Sequence, residues 1–290
     1  MKRFLAGMVL VAACGDTTGG STTVPDTDTS QTSTNTTAAP TTTSTTGATP
    51  ESVPAVVSRY GLMGWWSEGW VVPEGLEEIP LDGGEEFQVV MLDEPITAAV
   101  GSPPSLCEPS LTPVLEFEPP LPGEFGDPGA IAVIASWDLR PSPVRIEADL
   151  ADVHNDALSE VLQSLGIEDE PAIFQQIAAD LDADGAEEFV IVSKLLPDDL
   201  FGRPGDYSVV ILRKMIEGEW QTAILETSVG EPDNAYILSH SIAAIADLNG
   251  DGKMEIVVDA AYYEGAGTVA YEYVDDDRGP EPVLGGGCGA

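Results

Sequence analysis

Asp180-Leu-Asp-Ala-Asp-Gly-Ala-Glu-Glu188 and Asp247-Leu-Asn-Gly-Asp-Gly-Lys-Met-Glu255 align without a gap at an offset of 67 residues. Each follows a short apolar stretch, Ile177-Ala-Ala179 in one case and Ala244-Ile-Ala246 in the other. Each then runs into a β-rich stretch, 189–192 and 256–258. A pattern repeated at a fixed spacing marks a duplicated structural unit. Working outward from the first copy, 189–195, 207–215 and 220–227 read as strands, the last two joined as a hairpin through Glu217-Gly218-Glu219. After the second copy, 255–263, 268–273 and a short 282–284 read likewise, with Gly265-Ala-Gly267 as a turn. Each copy is therefore expected to be a four-stranded unit with an acidic loop between two of its strands.

The loops carry oxygen ligands at odd positions. Calcium is a hard cation that takes six to eight oxygens. A tight loop offering oxygens at its first, third and fifth positions wraps them around one point, and a sixth-position glycine takes the sharp turn that a Cβ opposes. The first loop supplies Asp180, Asp182, Asp184, the carbonyl of Ala186, and Glu188. The second supplies Asp247, Asn249, Asp251, the carbonyl of Lys253, and Glu255. Two Ca2+ sites are expected. By carboxylate count the first loop should bind more tightly, unless Ala183, where the second has Gly250, stiffens it.

An EF-hand needs a bidentate Glu at position twelve and a following helix. Position twelve here is Ile191 in one loop and Val258 in the other, both inside β-branched runs. The strand–loop–strand context instead resembles the FG-GAP or VCBS-type repeat of integrin-like β-propellers, over about 172–284. The resemblance implies that the loop joins two strands of a blade and that the ninth-position side chain, Glu188 or Glu255, is a ligand. A closed propeller needs at least four blades, so two loops do not support full propeller closure.

The remainder is mixed. Val153, Ala157, Leu158, Val161, Leu162 and Leu165 recur at helical spacing, with Gly166 as a stop. The fold class is thus mainly β with at least one α-helix (α+β). Residues 51–171 form the N-terminal part of the folded region and 172–290 the two repeats. Trp65, Trp66 and Trp70 lie near Gly61, Gly64 and Gly69 and read as core more readily than as a sugar-stacking platform. Runs at 87–92 and 130–137 look β-like or apolar, and the proline-rich 102–128 looks like loops.

Lys2 and Arg3 precede a short apolar run, 4–13, far below the ~20 residues of a membrane span. It ends in Val11-Ala-Ala-Cys14, which resembles the lipobox of bacterial lipoproteins. That resemblance implies a signal peptide at 1–13, a lipidated Cys14, and an exported protein anchored in the cell envelope. Between Thr17 and Pro50 there are 16 Thr, 4 Ser, no aromatic residue and one large aliphatic, Val24. Such a segment cannot bury enough apolar surface to order itself, and 14–50 is expected to be a disordered tether. With Cys14 lipidated, Cys107 and Cys288 remain, either as a disulfide in an oxidising compartment or as two unpaired thiols.

Fifty Asp and Glu against eleven Lys and Arg give a formal charge of −39. Such a surface excludes polybasic recognition of nucleic acid or of anionic lipid headgroups, leaving the lipid anchor as the membrane contact. The only histidines are His154 and His240, and no GxSxG, HExxH or CxxC occurs. The expected function is non-catalytic: binding, adhesion or envelope structure, with calcium as cofactor and a surface protein or glycan as ligand. The alternative is a secreted hydrolase working through a carboxylate pair, with the calcium loops as scaffold.

Overall fold

In the computed structural model, which describes residues 53–124, 127–149, 151–197, 200–231, 236–273 and 279–289, the strands form three larger antiparallel sheets and a small hairpin. The first sheet is built from β1 (Ala55–Ser58), β2 (Gly61–Trp66), β3 (Trp70–Val71), β4 (Glu86–Val90) and β5 (Thr97–Gly101). Next come β6 (Ser105–Cys107) and β7 (Thr112–Val114), which pair only with each other. β8 (Phe117–Glu118) and β9 (Ile131–Val133) complete the first sheet in the order β3-β2-β1-β9-β4-β5-β8. Although only three residues long, β9 is central, pairing with β1 on one side and β4 on the other.

The second sheet holds β10 (Val144–Ile146), β11 (Ile173–Ala179), β12 (Glu188–Leu195), β13 (Tyr207–Ile216) and β14 (Glu219–Val229), each next to its neighbour in sequence. Helix α1 (Asp152–Ser164) lies between β10 and β11 in the chain, and Gly166 beyond it has φ +81°. The third sheet is the meander β15 (Ser239–Ala246), β16 (Glu255–Tyr262), β17 (Gly265–Glu272) and β18 (Glu281–Gly289). The fold is mainly β with one helix, and none of its sheets closes into a barrel among the described residues. The first repeat departs from the four-stranded expectation, because β10 adds a fifth strand to its edge.

Strand periodicity explains the layering. Successive side chains point to opposite faces. On β13, Tyr207, Val209 and Ile211 face Leu158 and Leu162 of α1, whereas Val210 and Leu212 face the third sheet. All of β15 is buried. A bulge between Ile242 and Ala244 changes its phase. Ile242 and Ile245 then join the core shared with the second sheet, while Ala244 and Ala246 join the core shared with the first. The third sheet is therefore packed between the other two.

Two expectations need correction. Gly265-Ala-Gly267 is strand, and the turn sits one step earlier at Tyr263-Glu264. β18 continues past Leu284 through the whole glycine run. The physical reason is close approach rather than turning: a Cβ on Gly265 would lie 2.7 Å from Gly289 Cα, and one on Gly286 would lie 2.9 Å from Leu62 O. The glycines let β17, β18 and β2 come together backbone to backbone.

Candidate metal centre

The two loops have nearly the same internal hydrogen bonds. Gly185 N–H donates to Asp180 Oδ2 (3.1 Å), and Gly252 N–H to Asp247 Oδ2 (3.0 Å). Asp184 N–H donates to Asp182 Oδ1 (3.2 Å), as Asp251 N–H does to Asn249 Oδ1 (3.0 Å). Ala186 N–H reaches Asp184 Oδ1 (2.7 Å), and Lys253 N–H reaches Asp251 Oδ1 (2.8 Å). The ninth-position glutamates fold back alike, Glu188 Oε2 accepting from Leu181 N–H (2.9 Å) and Glu255 Oε2 from Leu248 N–H (2.7 Å). Gly185 and Gly252 have φ near +89° and +88°, the conformation in which glycine avoids the Cβ penalty. The eighth-position acid of the first loop, Glu187, turns away to Arg145, whose guanidinium holds its carboxyl below the usual range.

Asp180, Asp182 and Glu188 bring a ligand oxygen each to within 4.8 Å of one another. Among the described residues no other group of acids is so gathered: Asp184 stands outside it, and so do the acids of the second loop. The second loop is instead the more buried. Asp247, Asn249 and Glu255 are buried, whereas Asp251 is exposed. Glu255 Oε1 is sealed from solvent with no hydrogen-bond partner. An orphaned carboxylate oxygen in a ring of oxygen donors fits a hard divalent cation.

The electrostatics point the same way. Burial pushes the Glu255 carboxyl up to about 9, against the Leu248 N–H it accepts, with Asp251 and Asp247 adding to the rise. Burial likewise lifts Glu188 to about 7, and it raises Asp247 against the Gly250 and Gly252 N–H groups. Carboxylates in such surroundings stay ionised when a cation shares them.

The segment between β9 and β10 completes the second loop. Trp137 Nε1–H donates to Asp247 O (2.9 Å), and Asp247 N–H donates to Leu139 O (2.9 Å). Gly250, at φ +82°, faces the Trp137 ring, where a Cβ would lie 3.0 Å away. The loops also touch each other, Met254 N–H donating to Leu181 O (2.8 Å). At matching positions of the two repeats, Gln175 brackets Ile242: its Nε2 donates to Ile242 O and its Oε1 accepts from Ile242 N–H. Lys214 Nζ stands 3.8 Å from Asp182 Oδ2 and 4.4 Å over the Tyr273 ring. These surroundings escape a motif search. No local signal marks them, since the Asp-Leu that opens both loops recurs at 138–139 but also at 149–150 and 199–200.

The other singled-out residues fall as follows. Cys107 and Cys288 are paired, with Cα atoms 6.0 Å apart. Trp65 is buried in the first sheet's core, and Trp66 and Trp70 meet edge to face. His154 is packed between Phe189 and Trp220. His240 is fully buried, with Nδ1 3.1 Å from Ser208 Oγ and Nε2 3.9 Å from Glu226 Oε2. Serine, histidine and glutamate thus stand in line. Ser208 is 0% exposed, however, so no substrate reaches its hydroxyl. Cys14 and the expected signal and tether, 1–50, lie outside the described residues. Among the described residues no helix is long and apolar enough to cross a membrane.

A mainly β protein with duplicated acidic loops between adjacent strands is the class that fold and site define. Compared with known families, residues 240–271 match the FG-GAP repeat, a span covering most of β15, the second loop, β16 and most of β17. Comparison with curated proteins and with solved structures gives no match.

Proposed function

We propose that this chain is a calcium-stabilised, non-catalytic binding or adhesion module of VCBS/FG-GAP type, held at the cell envelope by a lipidated Cys14. The observation that carries the reading is the duplicated hydrogen-bond pattern of the two loops, together with the orphaned Glu255 Oε1. Asp180, Asp182, Asp184, Ala186 O and Glu188 would hold one Ca2+, and Asp247, Asn249, Asp251, Lys253 O and Glu255 the other. The ion supplies positive charge where acids otherwise repel one another. The chain's own part is to set the oxygens and to tie the loops to the sheets. Because Met254 bonds to Leu181 and Asp247 to Leu139, a firm second loop also braces the first loop and the connector between β9 and β10. The burial of His240 and Ser208 supports a role without catalysis.

Thermal unfolding of the full chain in calcium, in magnesium and in EDTA tests the calcium part. The midpoint is expected to rise with calcium specifically, and the rise to vanish in the Asp180→Ala, Asp247→Ala double variant. No calcium response, with no ion bound by calorimetry, would remove the reading. Membrane fractionation of a Cys14→Ser variant tests the anchor: the variant is expected in the soluble fraction, and its retention in the membrane would exclude lipidation as the tether.

A further inference from the structure

Four aromatic rings gather at the end of the third sheet away from the acidic loops. The second loop joins β15 to β16 at one end of that hairpin, whereas Tyr236 and Leu238 precede β15 and Tyr262, Tyr263 and Glu264 close β16 at the other. Strands of this length separate the two ends by roughly 25 Å. The Tyr236, Tyr262 and Tyr263 ring centroids stand 5.9–6.1 Å apart, and Phe201 stacks on Tyr263 at 4.7 Å. Phe201 is 45% exposed, Tyr236 49% and Tyr263 38%. Beside them Tyr236, Leu238, Tyr262 and Glu264 line a pocket of about 230 Å³.

We propose that this patch seats a lysine or arginine side chain of a partner polypeptide, its cationic head on the tyrosine faces and within reach of the Glu264 carboxylate. The inference deepens the binding reading above and rests on it. Three observations select the cation.

The first is the chemistry of the lining. Its polar side-chain groups are two phenol hydroxyls and one carboxylate, and none of them is a donor only. Ammonium and guanidinium are donors without acceptors, so they match such a lining. A neutral sugar could also donate its hydroxyls to this lining, but only a cation adds the charge-assisted bond to the carboxylate. The second is charge. Aromatic faces carry negative potential, and a chain of formal charge −39 draws cations from a distance. The third is habit within the fold, which places its own lysines on rings: Lys194 Nζ is 3.4 Å from the Phe174 ring centroid. The pocket is also below the ~300 Å³ at which drug-sized ligand sites begin, and suits a single side chain.

The test uses the full chain in saturating calcium and about 0.15 M salt, which screens general acidity beyond roughly 8 Å. The probes are a short arginine–glycine peptide, its citrulline counterpart, which keeps the shape and loses the charge, and a neutral glucan oligosaccharide. Binding is read by calorimetry. The arginine peptide is expected to bind, and the citrulline peptide and the Tyr236→Ser, Tyr263→Ser variant to lose about tenfold in affinity. Glu264→Gln should lose a smaller factor, and it serves where the double variant fails to fold. A Glu77→Gln, Glu78→Gln control, altering two exposed acids in a separate 3-10 turn, should bind as the parent does. Equal binding by the patch variants overturns the proposal, because the peptide then follows net charge alone. Binding of the oligosaccharide in place of the peptide overturns it as well, and so does binding of neither. If the calcium-dependent midpoint survives such a failure, the calcium reading stands and only the cation site falls.

Discussion

The first loop offers four carboxylates at its ligand positions and lies largely in solvent, whereas the second offers three and is largely buried. Charge count ranks the first as the better cation site. Construction ranks the second. Its Asp247 is held on both sides of the backbone, by Trp137 and Leu139, and Gly250 takes the left-handed turn freely. In the first loop Ala183 occupies the equivalent turn at φ +61°, a conformation that costs a residue with a Cβ about 1–2 kcal/mol. Lys214 also sets a positive charge 3.8 Å from Asp182, where an incoming ion would meet repulsion. The difference teaches that ligand count and the support a loop receives from its neighbours can point opposite ways. The second loop is expected to bind the tighter because its support is arranged in advance.

The largest expected effect compares single loops. With calcium about 100-fold above its dissociation constant, a site contributes ~2.7 kcal/mol of stability. For a domain of this size that is roughly 5–11 °C in midpoint. Asp247→Ala is expected to lose that rise at the second loop, and Asp180→Ala to lose clearly less in the same titration. A greater loss from Asp180→Ala would restore the ranking by carboxylate count.

The next effect has the opposite sign and appears without calcium. The folded-state value of Glu255 lies above its ordinary one, at about 9 against 4.5. Between those values the folded protein holds a proton that the unfolded chain has released, so stability falls as pH rises across that window. Glu255→Gln has no such proton to lose. In EDTA its advantage should grow from pH 5 to pH 9, on the order of 2 kcal/mol. For Glu188→Gln the advantage should stop growing near pH 7, since the Glu188 value is about 7. Urea midpoints at pH 5, 7 and 9 measure both, and parallel profiles would erase the distinction between buried and exposed loop. In calcium, both variants should lose stability.

The smallest effect sharpens the role of Lys214. In an Asp247→Ala background, where calorimetry reads the first loop alone, Lys214→Met is expected to tighten calcium binding about threefold, or ~0.7 kcal/mol. A weaker site would mean that Lys214 positions Asp182 instead of competing with the ion.

Local chemistry was the part of the molecule that its residues announced. Sixth-position glycines, alternating acids and β-branched runs specify a loop and its flanking strands without help from afar, and α1 follows from the spacing of Leu158 and Leu162. What stayed hidden depends on distant partners. A run such as Ile131–Val133 looks the same whether it is an edge or, as here, a centre paired on both sides. Gly265 and Gly267 read as a turn because glycine usually signals one, yet here they answer the glycines of β18 across the sheet. Trp137 reaches Asp247 across 110 positions of chain, and no periodicity records such a contact.

The bridge between Cys107 and Cys288, 181 positions apart, has a mechanical consequence. It makes the intervening chain, with the helix, the second and third sheets and both acidic loops, a covalent ring. Tension entering ahead of β1 and leaving beyond Cys288 would run to Cys107 and cross directly between the sulfurs, leaving that ring slack. Only the stretch from residue 53 to Cys107 could be drawn out, at most about 190 Å of extended chain against roughly 800 Å for the unbridged length. Part of the first sheet would yield under load, and the acidic loops would keep their geometry while it did.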